Sequence, residues 1–224
     1  MLAAGAFALA ANQSARASAE LTITVGATTV TYTDLGGTGG ISTPGGPVGI
    51  SIGGYQISVG AVTKPALGGA TLPELDISSV NVSGGSTTTP LVITFSDISY
   101  GPTNGALQLK LSGNDISGNQ TVSMSLYGGN SNSLFDESHL LGSVGPLGGN
   151  GSTFAGSLVG GVVNSGSYSL TETVTILGVG HTSLDASISS VPDGGSTVAM
   201  LGLALVGVGC VRQKLSGLKA LVLG

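Results

Sequence analysis

Between residues 20 and 190, apolar and polar side chains alternate in short runs separated by glycine-rich breaks. Residues 21–25 read Leu-Thr-Ile-Thr-Val and residues 107–111 read Leu-Gln-Leu-Lys-Leu. Val122, Met124 and Leu126 alternate with Ser123, Ser125 and Tyr127. Successive side chains on an extended strand point to opposite faces, so this period predicts half-buried β-strands. The longest run covers residues 168–176. It places Tyr168, Leu170, Val174 and Ile176 on one face and Ser169, Thr171, Thr173 and Thr175 on the other. Glu172 interrupts the apolar face and is therefore expected at a rim or edge. Leu184, Ala186 and Ile188 repeat the pattern, with Asp185 and Ser187 outward.

The breaks carry turn chemistry. Residues 48–52 and 55–59 flank Gly53-Gly54, two positions that tolerate positive φ, which predicts a tight hairpin. Gly113-Asn114, Gly118-Asn119 and Gly129-Asn130 punctuate later runs. Segments 34–47 and 142–152 are so rich in glycine that they read as long loops. No helical period of useful length occurs between residues 20 and 190. Short strands at this spacing predict an all-β, antiparallel β-sandwich or jelly-roll-like domain over residues 20–190. The apolar faces would form the core and the small hydroxyls the surface.

Composition sharpens this picture. Charged residues make up 8% of the 224 residues, aromatics 4%, and there are 40 glycines and no Trp. Good helix formers other than Leu and Ala are scarce, and those two concentrate at the chain ends. Disorder is the other reading of a glycine-rich chain, but Val, Ile and Leu recur throughout at strand spacing. From Glu20 to Val191 ten acidic side chains stand against two basic ones, Lys64 and Lys110. Phosphate backbones need clustered cations, so a nucleic-acid partner is excluded. Cys210 is the single cysteine, which rules out an intrachain disulfide framework and a cysteine-based metal site.

The two ends differ from the middle. Residues 2–11 form an apolar run too short to span a bilayer, followed by Ala17-Ser18-Ala19. Small residues at Ala17 and Ala19 suit a signal peptidase. Residues 1–19 are thus expected to be a signal peptide cleaved between Ala19 and Glu20. No Lys or Arg precedes the run, so a start upstream of Met1 is expected. An ordinary Ala-rich helix is the alternative. At the other end, Val191-Pro192-Asp193-Gly194-Gly195-Ser196-Thr197 form a turn-rich stretch ahead of an apolar run at 198–211. Ser196 or Thr197 is suited to cap a helix over about 197–211. Its 14 apolar residues fall short of the usual ~20 for a span, so a core helix is the competing reading. Apolar character on every face, with Arg212 and Lys214 on the far flank, favours a membrane helix with that flank cytoplasmic. Residues 215–224 are a short extension.

This tail resembles the PEP-CTERM sorting signal, in particular its Val-Pro-Asp-Ser-Gly variant. The matching residues are Val191, Pro192, Asp193, Gly195, Ser196 and Thr197, the Leu/Gly/Ala-rich run and the Arg212/Lys214 cluster. Asp193 stands where most members have Glu, and Gly194 replaces the variant's Ser. The resemblance implies an exosortase-type sorting protease as partner and transient anchoring through the C-terminal helix. It further implies cleavage near Pro192–Asp193 and delivery to the cell surface or extracellular polymer.

Candidate chemistry in the middle is sparse. Metalloprotease, nucleophile-elbow and phosphate-loop motifs are absent. His139 follows Asp136 and Glu137, and with a serine it would make a hydrolytic triad; a polar loop is the competing reading. His181 and Asp185 read as an exposed strand end, with a metal ligand as the competing reading. Glu74 and Asp76 share one side of a strand, as a Ca²⁺ site or as a charged edge that resists sheet-to-sheet pairing. No other cofactor is expected. Tyr32, Tyr55, Tyr100, Tyr127 and Tyr168 are dispersed and Trp is absent, which weakens a stacking surface for sugars. The expectation is a non-enzymatic exported surface or matrix protein. The alternatives are a module binding extracellular polysaccharide or protein, and a secreted hydrolase.

Overall fold

The computed structural model describes residues 19–44, 49–103, 105–149, 151–161 and 166–191. Within these residues the chain is all-β, with every strand pairing antiparallel. The strands are β1 (Glu20–Val25), β2 (Thr28–Thr33), β3 (Gly40–Ser42), β4 (Ile50–Ile52), β5 (Tyr55–Val62) and β6 (Glu74–Tyr100). They continue as β7 (Leu107–Gly118), β8 (Thr121–Gly129), β9 (His139–Gly148), β10 (Thr153–Val159) and β11 (Tyr168–Ser190).

One continuous sheet folds into two halves because two strands run through both. β6 has 27 residues and β11 has 23, well beyond the usual strand length of about 3–10. The C-terminal part of β6 and the N-terminal part of β11 lie in a half ordered β2-β1-β6-β11-β8-β9. Their other ends lie in a half ordered β5-β6-β11-β7-β10, with β3 and β4 along the free side of β5.

Alternation decides which face is buried. In the first half, Ile23, Ile93, Val174 and Met124 form one inward row, and Val25, Leu91, Ile176 and Val122 the next. Thr24, Val92, Thr175 and Ser123 make the row between them on the opposite face. In the second half, Ala61, Ile77, Ala186 and Leu111 form an inward row. The inward residues of both halves join in a single core, as a sandwich requires. Each fully buried Leu, Ile or Phe contributes about 1.5–3 kcal/mol relative to exposure.

Most of the expected strands appear where the alternation placed them, and Gly53-Gly54 close the β4–β5 hairpin with φ of 57° and 87°. Segment 142–152 departs from expectation, since residues 142–148 complete β9. Glycine there permits close approach instead of ending the strand. A Cβ on Gly142 would lie 3.0 Å from Leu158 Cδ2. At Gly145 the backbone takes φ of 107° and a Cβ would lie 2.6 Å from the Val122 carbonyl oxygen, beside a register shift. Within segment 34–47, also expected to be loop, residues 40–42 form the short strand β3. The described residues hold no helix, and none that could cross a membrane. The expected signal peptide core and the apolar helix of 197–211 lie outside the described residues.

Candidate functional site

The end of the sandwich where the chain enters and leaves is its most elaborated region. β1 begins at Glu20, which pairs with Ser96 of β6 and accepts a hydrogen bond from Thr33 Oγ1 at 3.3 Å. Ala19 before it is fully buried, and its carbonyl accepts from Asp34 N at 3.0 Å. At the exit, β11 ends at Ser190 opposite Leu107. Val191 N then donates to the Ala106 carbonyl at 2.8 Å. The first residue of the predicted sorting signal is therefore tied to the central strand's neighbour, with no spacer between fold and signal. Pro192, Asp193, Gly194, Gly195, Ser196, Thr197, Arg212 and Lys214 lie outside the described residues, as does Ala17.

At the same end, sequence reasoning missed a buried polar cluster. Lys64, just past β5, and Asp97, near the end of β6, form the one ion pair among the described residues, with Nζ 2.7 Å from Oδ2. Their side chains are 9% and 0% exposed. Lys64 Nζ also donates to the Ile98 carbonyl and sits 3.9 Å from the Tyr100 ring centroid. Asp97 Oδ2 accepts further from Thr63 Oγ1 at 2.9 Å and Tyr100 Oη at 3.3 Å, and the two hydroxyls lie 2.6 Å apart. Asp97 Oδ1 accepts from Ile98 N at 2.7 Å. Tyr168 stacks beside Tyr100, with centroids 5.8 Å apart. Burial lowers the Lys64 ammonium from its ordinary value, opposed by the adjacent Asp97. Burial and then Asp97 push the Tyr100 phenol well up. The pair is 33 residues apart in sequence, and only its flanking Thr63 and Tyr100 hint at anything besides ordinary surface charges.

Glu172 was expected at a rim or edge, and the structure corrects this. It lies on the central strand β11, in one inward row with Leu21, Phe95 and Leu126, and is completely buried. Neither carboxyl oxygen has a hydrogen-bond partner among the described residues. Burial, and secondarily Asp76, push its carboxyl well above the usual range, in the direction that favours the neutral acid.

The other candidates are scattered. His139 is exposed at the start of β9, and its Nδ1 lies 2.9 Å from Ser138 Oγ. The Asp136 carboxylate bonds Ser131 Oγ and, at 3.0 Å, Ser138 N, which together hold it down at about 2. Glu137 accepts from Thr173 Oγ1 at 3.3 Å. Asp136 thus orients serines of its own loop, and no hydroxyl–imidazole–carboxylate chain is formed by these bonds. Glu74 and Asp76 share one side of β6, opposite Ser189 and Ser187. Burial, and then Asp185, raise the Asp76 carboxyl. Among the described residues no three His, Cys, Asp or Glu side chains are grouped to hold a metal ion. Tyr55, Tyr100 and Tyr168 are buried in the core, so they build the domain's interior. On the outer face, a shallow groove is lined by Gln56, Ser58, Asn81, Ser83 and His181.

Residues 190–215 match the VPDSG-CTERM motif. The tail is therefore a PEP-CTERM-like exosortase sorting signal, and it marks the chain as exported and surface-associated. No curated protein matches the chain. Among solved structures, similarity extends to the enzymatically active domain of tailspike protein 4 of bacteriophage CBA120, at 12% identity and a TM-score of 0.35. That similarity covers 63% of this chain and 20% of the tailspike chain, so the present chain spans about a fifth of that structure. The C-terminal CBM6 of LamC, a marine laminarinase from Zobellia galactanivorans, is similar over 49% of this chain and 79% of its own, at 15% identity and a TM-score of 0.28. TmCBM61 in complex with β-1,4-galactotriose is similar over 62% and 88%, at 8% identity and a TM-score of 0.31. At these scores no functional assignment follows from the structural similarities.

Proposed function

We propose that this chain is a non-enzymatic structural protein of the cell surface or extracellular matrix, processed by an exosortase-type protease. The observation that carries this reading is the direct passage of β11 into the sorting signal at Val191. A rigid acidic module is thereby presented at the membrane until cleavage near Pro192–Asp193 releases or transfers it. Its outer faces carry rows of Thr, Ser and Asn, which keep it hydrated, and its charge disfavours adhesion to anionic surfaces. Fractionating cells that carry residues 1–191 against cells with the full chain, with mass spectrometry of both termini, tests it. The full chain is expected at the surface or in the medium with a new C-terminus between residues 191 and 197. The shortened chain is expected to miss that destination. Identical distribution of the two would remove the sorting claim.

A second reading, binding of extracellular polysaccharide, is supported by the groove of Gln56, Asn81, Ser83 and His181, whose amide, hydroxyl and imidazole groups suit sugar hydroxyls. On a glycan array the secreted protein is then expected to bind, and a double variant, Asn81→Ala with His181→Ala, to bind at least about tenfold more weakly. Absence of binding at millimolar ligand removes this reading and leaves the first intact.

A further inference from the structure

We propose that Lys64 and Asp97 condense to an intramolecular amide, a covalent cross-link between the end of β5 and the end of β6. Four features of the site match what this reaction needs. The amine and the carboxyl are in contact, with Nζ 2.7 Å from Oδ2, and both are withdrawn from water. The nucleophile is positioned by the Ile98 carbonyl and the face of Tyr100. The oxygen that remains, Oδ1, already accepts the Ile98 N–H at 2.7 Å, so negative charge developing there in the addition step is stabilised by a fixed dipole. The oxygen that leaves, Oδ2, accepts two hydroxyls, Thr63 Oγ1 and Tyr100 Oη, themselves 2.6 Å apart. A desolvated amine is a competent nucleophile where a solvated ammonium is not. Exclusion of water also protects the product from hydrolysis.

The step balances without an added reagent. Along the Nζ–Oδ2 hydrogen bond the ammonium gives one proton to the carboxylate, leaving an amine and a neutral acid. The nitrogen lone pair adds to Cγ, and the carbonyl electron pair moves onto Oδ1. Nζ then releases a second proton, which the Thr63–Tyr100 hydroxyl pair carries to Oδ2. The Cγ–Oδ2 bond breaks and water departs. The ammonium and carboxylate become one secondary amide and one water, with no change of oxidation state.

Position gives the bond a purpose. Glu20 pairs with Ser96 next to Asp97, while Thr63 Oγ1 donates to the Glu74 carbonyl, and Glu74 pairs with Ser189 next to the exit of β11. The link therefore fastens the two halves of the sandwich at the end that carries the sorting signal. A chain with one cysteine has no disulfide to do this. The inference stands apart from the proposed role, since the bond forms or does not form wherever the protein resides.

Peptic digestion of the folded full-length chain and mass spectrometry test it. The expected result is a branched product that joins the peptides containing Lys64 and Asp97 and is lighter than their sum by one water. Recovery of the two peptides separately at unmodified mass would overturn the proposal, and this reading needs no variant. Lys64→Arg, which keeps a cation over Tyr100, and Asp97→Ala are expected to abolish the branched product. Tyr100→Phe keeps the ring and removes the proton carrier. Linkage in newly synthesised chains is expected to slow by about 100-fold, and an unchanged rate would overturn the role given to Tyr100. A branched product joining Lys64 to any residue other than Asp97 would likewise overturn the assignment.

Discussion

Replacing Glu172 by methionine is expected to raise the free energy of unfolding at pH 7 by about 2 kcal/mol. The wild-type carboxyl lies between Phe95 and Leu126 with no exposure and no partner for either oxygen among the described residues. An unmade hydrogen bond at a buried polar atom costs about 1–3 kcal/mol. Methionine has a similar length, carries no polar group and adapts to irregular space. The gain should also depend on pH. The folded carboxyl titrates well above its ordinary value of 4.5, so above that value the folded protein holds a proton that the unfolded chain has released. The acid's stabilising share is complete below pH 4.5 and is lost as pH rises toward the folded value, at about 1.4 kcal/mol per pH unit for one proton. Asp76 is also raised and acts with the same sign. Urea unfolding at pH 5 and pH 7 should show the wild type losing stability over that interval and Glu172→Met losing less. A variant less stable than wild type at both values would mean that Glu172 has a partner in the folded state.

Gly85→Ala should be among the most damaging small substitutions in the domain, costing about 4 kcal/mol. Gly85 sits where β6 turns from one half of the sheet to the other, opposite Val179 of β11. Its φ of 122° is a conformation that side chains resist, at a cost of about 1–3 kcal/mol. A Cβ there would lie 2.2 Å from the Gly178 carbonyl oxygen and 3.0 Å from Tyr55 Cε1. Backbone has little room to yield, and Tyr55 is pinned by hydrogen bonds of its hydroxyl to the Thr89 carbonyl and from Ser86 N. Overpacking adds about 1–3 kcal/mol. Gly69→Ala is the control: an added Cβ meets nothing within 4 Å, and the change is expected within about 0.5 kcal/mol. Against a typical domain stability of about 5–15 kcal/mol, Gly85→Ala should lower the urea midpoint sharply and reduce the yield of folded secreted protein. Equal midpoints for the two variants would show that the corner relaxes freely.

Several elements were legible in the chain. Leu-Thr-Ile-Thr-Val became β1, Leu-Gln-Leu-Lys-Leu opens β7, and Val122, Met124 and Leu126 form the inward side of β8. These segments were readable because a strand with one wet face writes its own period into the sequence. The hairpin at Gly53-Gly54 was readable because its turn requires positive φ. The tail motif was readable because a sorting signal is recognised as a local string.

Other features depended on neighbours distant in sequence. Residues 142–148 looked like loop, yet form strand, because β8 pairs with them and β10 packs against their missing side chains. β11 looked like two runs, at 168–176 and 184–188, because glycine at a corner of a continuous strand, as at Gly178 and Gly180, has the same signature as glycine in a turn. Glu172 looked like an edge residue because an acid is costly inside. Its burial follows from β11 having β6 on one side and β8 on the other over that stretch. Lys64 and Asp97 carry no local signal beyond the nearby Thr63 and Tyr100, because the pair is brought together across 33 residues of chain.

By itself the sequence determined the strand period, the inward and outward faces, the tight hairpin and the C-terminal address, since each is encoded by residues within a few positions of one another. Tertiary structure alone decided that two strands would span both halves of the sandwich, that an acid would be enclosed with no partner among the described residues, and that Lys64 would meet Asp97. Those outcomes follow from which segments pair and what they exclude from water, and pairing is a property of the whole folded sheet.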